Sequence, residues 1–123
     1  MENTRVTPDQ LPVAREILLD EPVSPVKPTS RVEVRRITMP PRFAAGWHVH
    51  NGPVVGSVVA GTVHFQVEGG EETVLEPGEV FHEPAGVPVR FDAGAEGATF
   101  LAYFLLADGE QPEIALVGGA SVG

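Results

Sequence analysis

From residue 31 onward, apolar and polar positions alternate in short runs that glycine and proline interrupt. The cleanest run is Thr62-Val63-His64-Phe65-Gln66-Val67-Glu68, which places Val63, Phe65 and Val67 on one face of a strand and His64 on the other. Upstream, Val32, Val34 and Arg36 share a face and are followed by Ile37 and Met39, with Pro40-Pro41 ending the run. Further strands are predicted from Gly46 to His50 and from Val54 to Val59, the latter closed by Gly61. Gly69-Gly70 predicts a hairpin turn into the strand ending at Val74-Leu75, with the charged run Glu68 to Glu72 as its solvated tip. Val80 to Glu83, Val87 to Phe91 and Thr99 to Leu106 complete the set, the last two separated by a turn around Gly94 and Gly97. Helical periodicity is almost missing. Short strands at regular spacing predict an all-β protein, an antiparallel sandwich or barrel.

Residues 1–30 break this pattern. Pro8, Pro12, Pro22, Pro25 and Pro28 forbid a long helix, and the run from Val13 to Leu19 allows a short turn or strand. The apolar Ile17-Leu18-Leu19 predicts an arm docked on the domain or on a neighbouring subunit. The expected organisation is an arm over 1–30, a barrel over 31–117 and a flexible tail over 118–123.

With 123 residues, the chain fits one domain with a single core. It has no cysteine, which excludes disulfides, thiolate metal sites and cysteine nucleophiles. The net charge of −9, with Lys27 the sole lysine, argues against nucleic acid and anionic membrane surfaces as partners. The N-terminus shows no signal-peptide pattern and no apolar run long enough to span a bilayer is present, so a soluble cytoplasmic protein is expected.

Chemistry concentrates at His48-Val49-His50, which holds two of only four histidines. On a strand, His48 and His50 point the same way about 7 Å apart, close enough to converge on one divalent metal or one anionic ligand. No phosphate loop or carboxylate dyad is present, and Ser57 carries glycine at only one flank of a nucleophile elbow.

These residues carry a resemblance to the cupins, β-barrels of the jelly-roll type. The first cupin motif combines a glycine, a His-x-His pair, a glutamate four or five residues later and a further glycine; His48, His50 and Gly61 match, and the glutamate falls on Val54 or Val55. In the second motif Gly78, Pro84 and Gly86 match, whereas the histidine and asparagine positions hold Val89 and Ala93. The chain looks closest to small single-domain bacterial cupins with Pro53-Val54-Val55-Gly56, Phe81-His82-Glu83-Pro84 and Arg90-Phe91-Asp92. The resemblance implies a cupin (jelly-roll type double-stranded β-barrel), with activities ranging from dioxygenases, isomerases and decarboxylases to simple binding proteins. It also implies a barrel site for iron, zinc, manganese or nickel, of which this chain keeps half the usual ligands. A metal-free barrel is the other outcome, because Val54 and Val89 replace usual ligands.

His82 and Glu83 are the candidates to complete the site, and a strand turns only one of them inward. Glu83 inward gives two histidines and a carboxylate, a set suited to non-haem iron; His82 inward gives three histidines, suited to zinc. Tyr103, the single tyrosine, is a candidate acid or orienting donor if its hydroxyl reaches the cavity, and otherwise a core tyrosine. Val54, Val55, Val58 and Val89 would make the pocket dry. His64 and Trp47 are expected to face outward, and Arg90 with Asp92 to form a surface ion pair.

Three functions fit this set: a metal-dependent enzyme of dioxygenase or isomerase/lyase type acting on a small molecule at His48, His50 and Glu83; a metal-free enzyme using the histidines as acid and base; or a binding module without turnover. A homodimer is expected, with the arm or an edge strand exchanged between copies.

Overall fold

The computed structural model describes residues 3–117; the tail expected over 118–123 lies outside the described residues. Seven strands form one antiparallel sheet: β1 (Arg31–Met39), β2 (His48–His50), β3 (Val54–Val67), β4 (Thr73–Leu75), β5 (Val80–Glu83), β6 (Val89–Leu106) and β7 (Ile114–Leu116). No described helix is long and apolar enough to cross a membrane.

Two long strands organise the sheet. β3 and β6 pair from Val54↔Phe104 to Val67↔Val89, and each takes different outer neighbours in its two halves. β1 borders the second half of β6, while β5 borders the first half of β3. β4 borders the second half of β3, and β2 meets the start of β6 at His48↔Val89 with β7 beyond it.

The sheet folds over between these halves. Phe91 and Phe100 lie nine residues apart on β6, about 30 Å if the strand were straight, yet their ring centroids are 4.6 Å apart. Phe65 and Phe81 join them in an aromatic cluster that closes the two layers.

Glycine supplies the fold-over. The sequence predicted a strand closed by Gly61 and a turn around Gly94 and Gly97; instead both strands run through these positions. Pairing shifts register between Val58/Ala60 and between Gly61/Val63. A Cβ on Gly61 would lie 2.0 Å from the Gly97 carbonyl oxygen, and one on Gly94 would lie 2.1 Å from Thr62 Oγ1. Gly61 lets two backbones touch where the sheet bends and Gly94 leaves room for the Thr62 hydroxyl, so a punctuation signal marks a crease and not a chain reversal.

Alternation along β1 is inverted relative to a simple core reading. Ile37 and Met39 turn inward, whereas Val32 and Val34 lie exposed on the outer face. Beside that outer face the arm runs in irregular conformation after a short 3-10 turn at Pro8–Gln10, without a strand over 13–19. Leu18 and Leu19 line a depression with Val55, Val80 and Tyr103, and Glu21 hydrogen-bonds His82 at 2.9 Å. Lys27 pairs with Glu110, anchoring the end of the arm to the β6–β7 loop.

Candidate metal centre

Strand β5 alternates Val80 and His82 outward with Phe81 and Glu83 inward. Its register sets Val54 opposite Glu83 and Val55 opposite His82. Glu83 is therefore the residue that joins the histidines, being 3% exposed on the cavity side. His82 turns to the arm, so a three-histidine site is not formed. Tyr103 lies on the outer face of β6, 37% exposed and opposite Val55, away from the wall that Ala102 and Phe104 form. The structure thus removes Tyr103 and His82 from the cavity.

Each histidine is oriented by backbone on its far side. His48 Nδ1 lies 3.1 Å from the Gly46 carbonyl oxygen and His50 Nδ1 lies 3.3 Å from that of Glu113. With both Nδ1 atoms donating to carbonyls, both Nε2 atoms are left to face the cavity. They meet one carboxylate oxygen: Glu83 Oε2 is 3.2 Å from His48 Nε2 and 3.0 Å from His50 Nε2. The two rings stand edge to face with centroids 5.0 Å apart.

β2 is too short to hold this geometry through sheet bonds alone. The Gly86 N–H donates to the His50 carbonyl, and the Val117 N–H to that of Trp47. Asn51 donates to the Gln111 carbonyl and accepts from the Glu113 N–H, which fixes the segment whose carbonyl orients His50. Asn51 and β7 were missed by the sequence reading. Their only sequence signal is the polar residue directly after the His-x-His pair, and its meaning depends on a loop some sixty residues away.

Burial acts to raise the Glu83 pKa, but hydrogen bonds from His48 and His50 and their charge outweigh it and hold the carboxyl below its ordinary value. Burial acts to lower the His48 pKa; the Glu83 hydrogen bond, the Gly46 carbonyl and the charges of Glu83 and Asp92 outweigh it and hold the ring above its ordinary value. Lone pairs of two imidazoles and a carboxylate, converging at about 3 Å, repel one another unless a positive charge lies among them. Protons supply it in the metal-free protein, and a divalent cation satisfies all three donors at once. All three ligand atoms lie within 4.8 Å of one another. Two Nε2 donors with Nδ1–H bound to carbonyls, plus one carboxylate, fit a divalent metal in donor type and in outer support.

The three side chains open onto a cavity of about 200 Å³. Its wall is otherwise apolar, with Ile37, Met39, Phe43, Phe91, Phe100 and Phe104 prominent; among the described residues only His48, His50 and Glu83 contribute polar side chains. Of the four valines expected there, only Val54 lines it. Val55 faces outward opposite Tyr103, Val58 packs in the core and Val89 is fully buried opposite His48. The remaining candidates lie elsewhere. His64 is half-exposed beside Glu72, and Trp47 lies under the Arg90 guanidinium, 5.7 Å from its ring centroid. Arg90 and Asp92 pair at 3.2 Å, with Asp92 buried beneath its partner instead of at the surface.

A bent double-layered sheet with a His-x-His pair and a carboxylate inside defines the class, and the Cupin domain model matches residues 35–104. The chain belongs to the cupin family. No curated protein matches the sequence. Among solved structures, the DMSP lyases RdDddP and RnDddQII share 26% identity with TM-score 0.59, over 67% of this chain and 43% of that chain. Oxalate oxidase in complex with the substrate analogue glycolate shares 23% identity with TM-score 0.57, over 70% and 46% of the two chains. Oxalate decarboxylase of Bacillus subtilis, in a study of its Mn(II) centres, shares 22% identity with TM-score 0.55, over 64% and 22%. This chain spans less than half the length of each of these proteins.

Proposed function

We propose that the protein is a metal-dependent oxidoreductase that binds a divalent metal through His48, His50 and Glu83 and oxidises a small, largely apolar molecule. The observation that carries this reading is the convergence of both Nε2 atoms and one carboxylate oxygen, with both Nδ1 atoms already engaged. The Mn(II) centres of the similar oxalate decarboxylase support the choice of a divalent metal.

A lyase or isomerase reaction, as in the similar DMSP lyases, needs a group free to take a proton from carbon. The cavity wall offers none once His48, His50 and Glu83 serve as ligands, because Tyr103 is outside. A redox-active metal held by His48, His50 and Glu83 would supply the electron-transfer chemistry for oxidation by dioxygen, which needs no further protein base. The protein's own contribution is to fix the ligands, exclude water with its phenylalanines and hold an apolar substrate body against Val54 and Ile37.

The test is elemental analysis of tag-free protein followed by oxygen-electrode assays on the iron- and manganese-loaded forms with small aromatic and enolic acids. Near-stoichiometric metal, lost in His48→Ala/His50→Ala, with substrate-dependent oxygen uptake is the expected result. Failure to take up any of iron, manganese, zinc or nickel overturns the metal site. Turnover without oxygen uptake overturns the oxidoreductase and favours the acid–base alternative.

A further inference from the structure

We propose that Arg35 is the specificity determinant of this cavity, reading a carboxylate on the substrate, so that the substrate class is a small monocarboxylate with an apolar body. The inference rests on the cavity being the substrate site and adds to it what the substrate must carry.

Arg35 lies on the cavity side of β1. It pairs with Ala102, a wall residue, and shares its face with Ile37 and Met39, which also line the cavity. Its side chain is half-exposed, which places it at the rim. The guanidinium sits over the Phe104 ring, 5.6 Å from the centroid, and Phe104 in turn lies 6.5 Å from the His50 ring. Those two steps bound the distance from the cation to the metal-ligating histidine. A body no longer than a single aromatic ring or a short alkyl chain is within that upper limit and within a cavity of about 200 Å³.

The guanidinium is also prepared for an anion. Glu33 takes the Nε–H, and the cation lies within cation–π range of the Phe104 ring. Among the described residues Nη1 and Nη2 make no hydrogen bond, so the two parallel donors at the end of the fork remain for a carboxylate. Arg31 and Arg90 do not share this state. Arg31 spends Nη1 and Nη2 on the Glu110 carbonyl, and Arg90 is committed to Asp92. Arg36, the next residue on β1, also makes no side-chain hydrogen bond among the described residues, but alternation puts it on the outer face with Val32 and Val34. At the rim of an otherwise apolar cavity, on a protein of net charge −9, a guanidinium held by Glu33 with both Nη donors free gives an anion a defined docking point.

The experiment titrates cobalt(II)-loaded protein with 4-hydroxybenzoate and with its neutral counterpart 4-hydroxybenzamide. Binding is followed by the visible cobalt spectrum and by calorimetry. The parent is expected to prefer the carboxylate at least tenfold. Arg35→Met is expected to abolish the preference while leaving cobalt uptake and thermal stability unchanged, and Arg35→Lys to keep part of it, as a point charge without the fork. A preference that survives in Arg35→Met means the metal itself reads the anion and overturns the proposal. Equal binding of the two probes by the parent, or no binding of either at millimolar concentration, overturns it too. If cobalt is not taken up, the metal reading fails separately, and the same calorimetric comparison on the metal-free protein still decides the role of Arg35.

Discussion

Val54 and Glu83 face each other across β3 and β5, and Val54 occupies a position where the cupin pattern places its metal-binding glutamate. The carboxylate of Glu83 stands one strand to the side of that position, on a directly paired residue whose Cβ lies about 5 Å away. It still reaches both histidines.

This pairing predicts that the carboxylate works from either strand. Glu83→Val is expected to lower cobalt(II) affinity about 100-fold, and adding Val54→Glu to recover at least tenfold of that loss. Competition titration against a chromogenic chelator measures both. A double variant no better than Glu83→Val alone would show that only β5 can aim the carboxylate.

Protonation of the same group sets opposite pH responses for the metal-free and metal-loaded protein. His48 is held above its ordinary 6.5, so its stabilisation is present at pH below 6.5 and is lost as pH rises through the folded value. Glu83 is held below its ordinary 4.5, so its stabilisation is present at pH above 4.5 and is lost as pH falls through the folded value. Metal-free stability should peak between pH 4.5 and 6.5 as far as these two groups determine it. Protons compete with metal for the same atoms, so the rise in Tm on adding zinc should grow from pH 5 to pH 8. Calorimetric scans with zinc and with chelator measure the two trends, and a zinc-induced rise that is flat with pH contradicts this assignment of ligands.

Asn51 acts on His50 through the backbone of Glu113. Asn51→Ala is expected to weaken metal binding about tenfold, with a stability loss of about 1–2 kcal/mol from the two lost hydrogen bonds. Chelator competition and denaturant unfolding separate these effects. An unchanged affinity would mean that the 111–113 segment holds its position without Asn51.

Gly61 is the tightest point of the crease that brings the layers together, with φ +74° and the Gly97 carbonyl where a Cβ would stand. Gly61→Ala is expected to cost at least about 3 kcal/mol, since both strain and the clash fall on backbone atoms. Gly78→Ala tests strain alone, because no atom lies within 4 Å of its added Cβ despite φ +90°. Urea unfolding should show the smaller loss at Gly78; equal losses would place the cost in φ and not in the contact.

Period and punctuation alone determined a great deal. The alternation from Thr62 to Glu68 placed Val63 and Phe65 inward and His64 outward, and spacing put His48 and His50 on one strand face. These are local consequences of a two-residue period and survive in any β fold. The sequence also narrowed the third ligand to two neighbours, His82 or Glu83. It could not choose between them, because the turn from Pro84 to Pro88 erases the phase that would carry over from Val89. Only the pairing of β5 with β3 decided it, by setting Glu83 beside Val54 on the inner face and His82 toward the arm. Tertiary structure likewise decided that Gly61 and Gly97 mark a fold in two long strands and that Tyr103 lies outside. It also brought the Glu113 carbonyl to His50. Each of these depends on contacts between residues distant in the chain, and strand periodicity carries no information about which strand lies opposite.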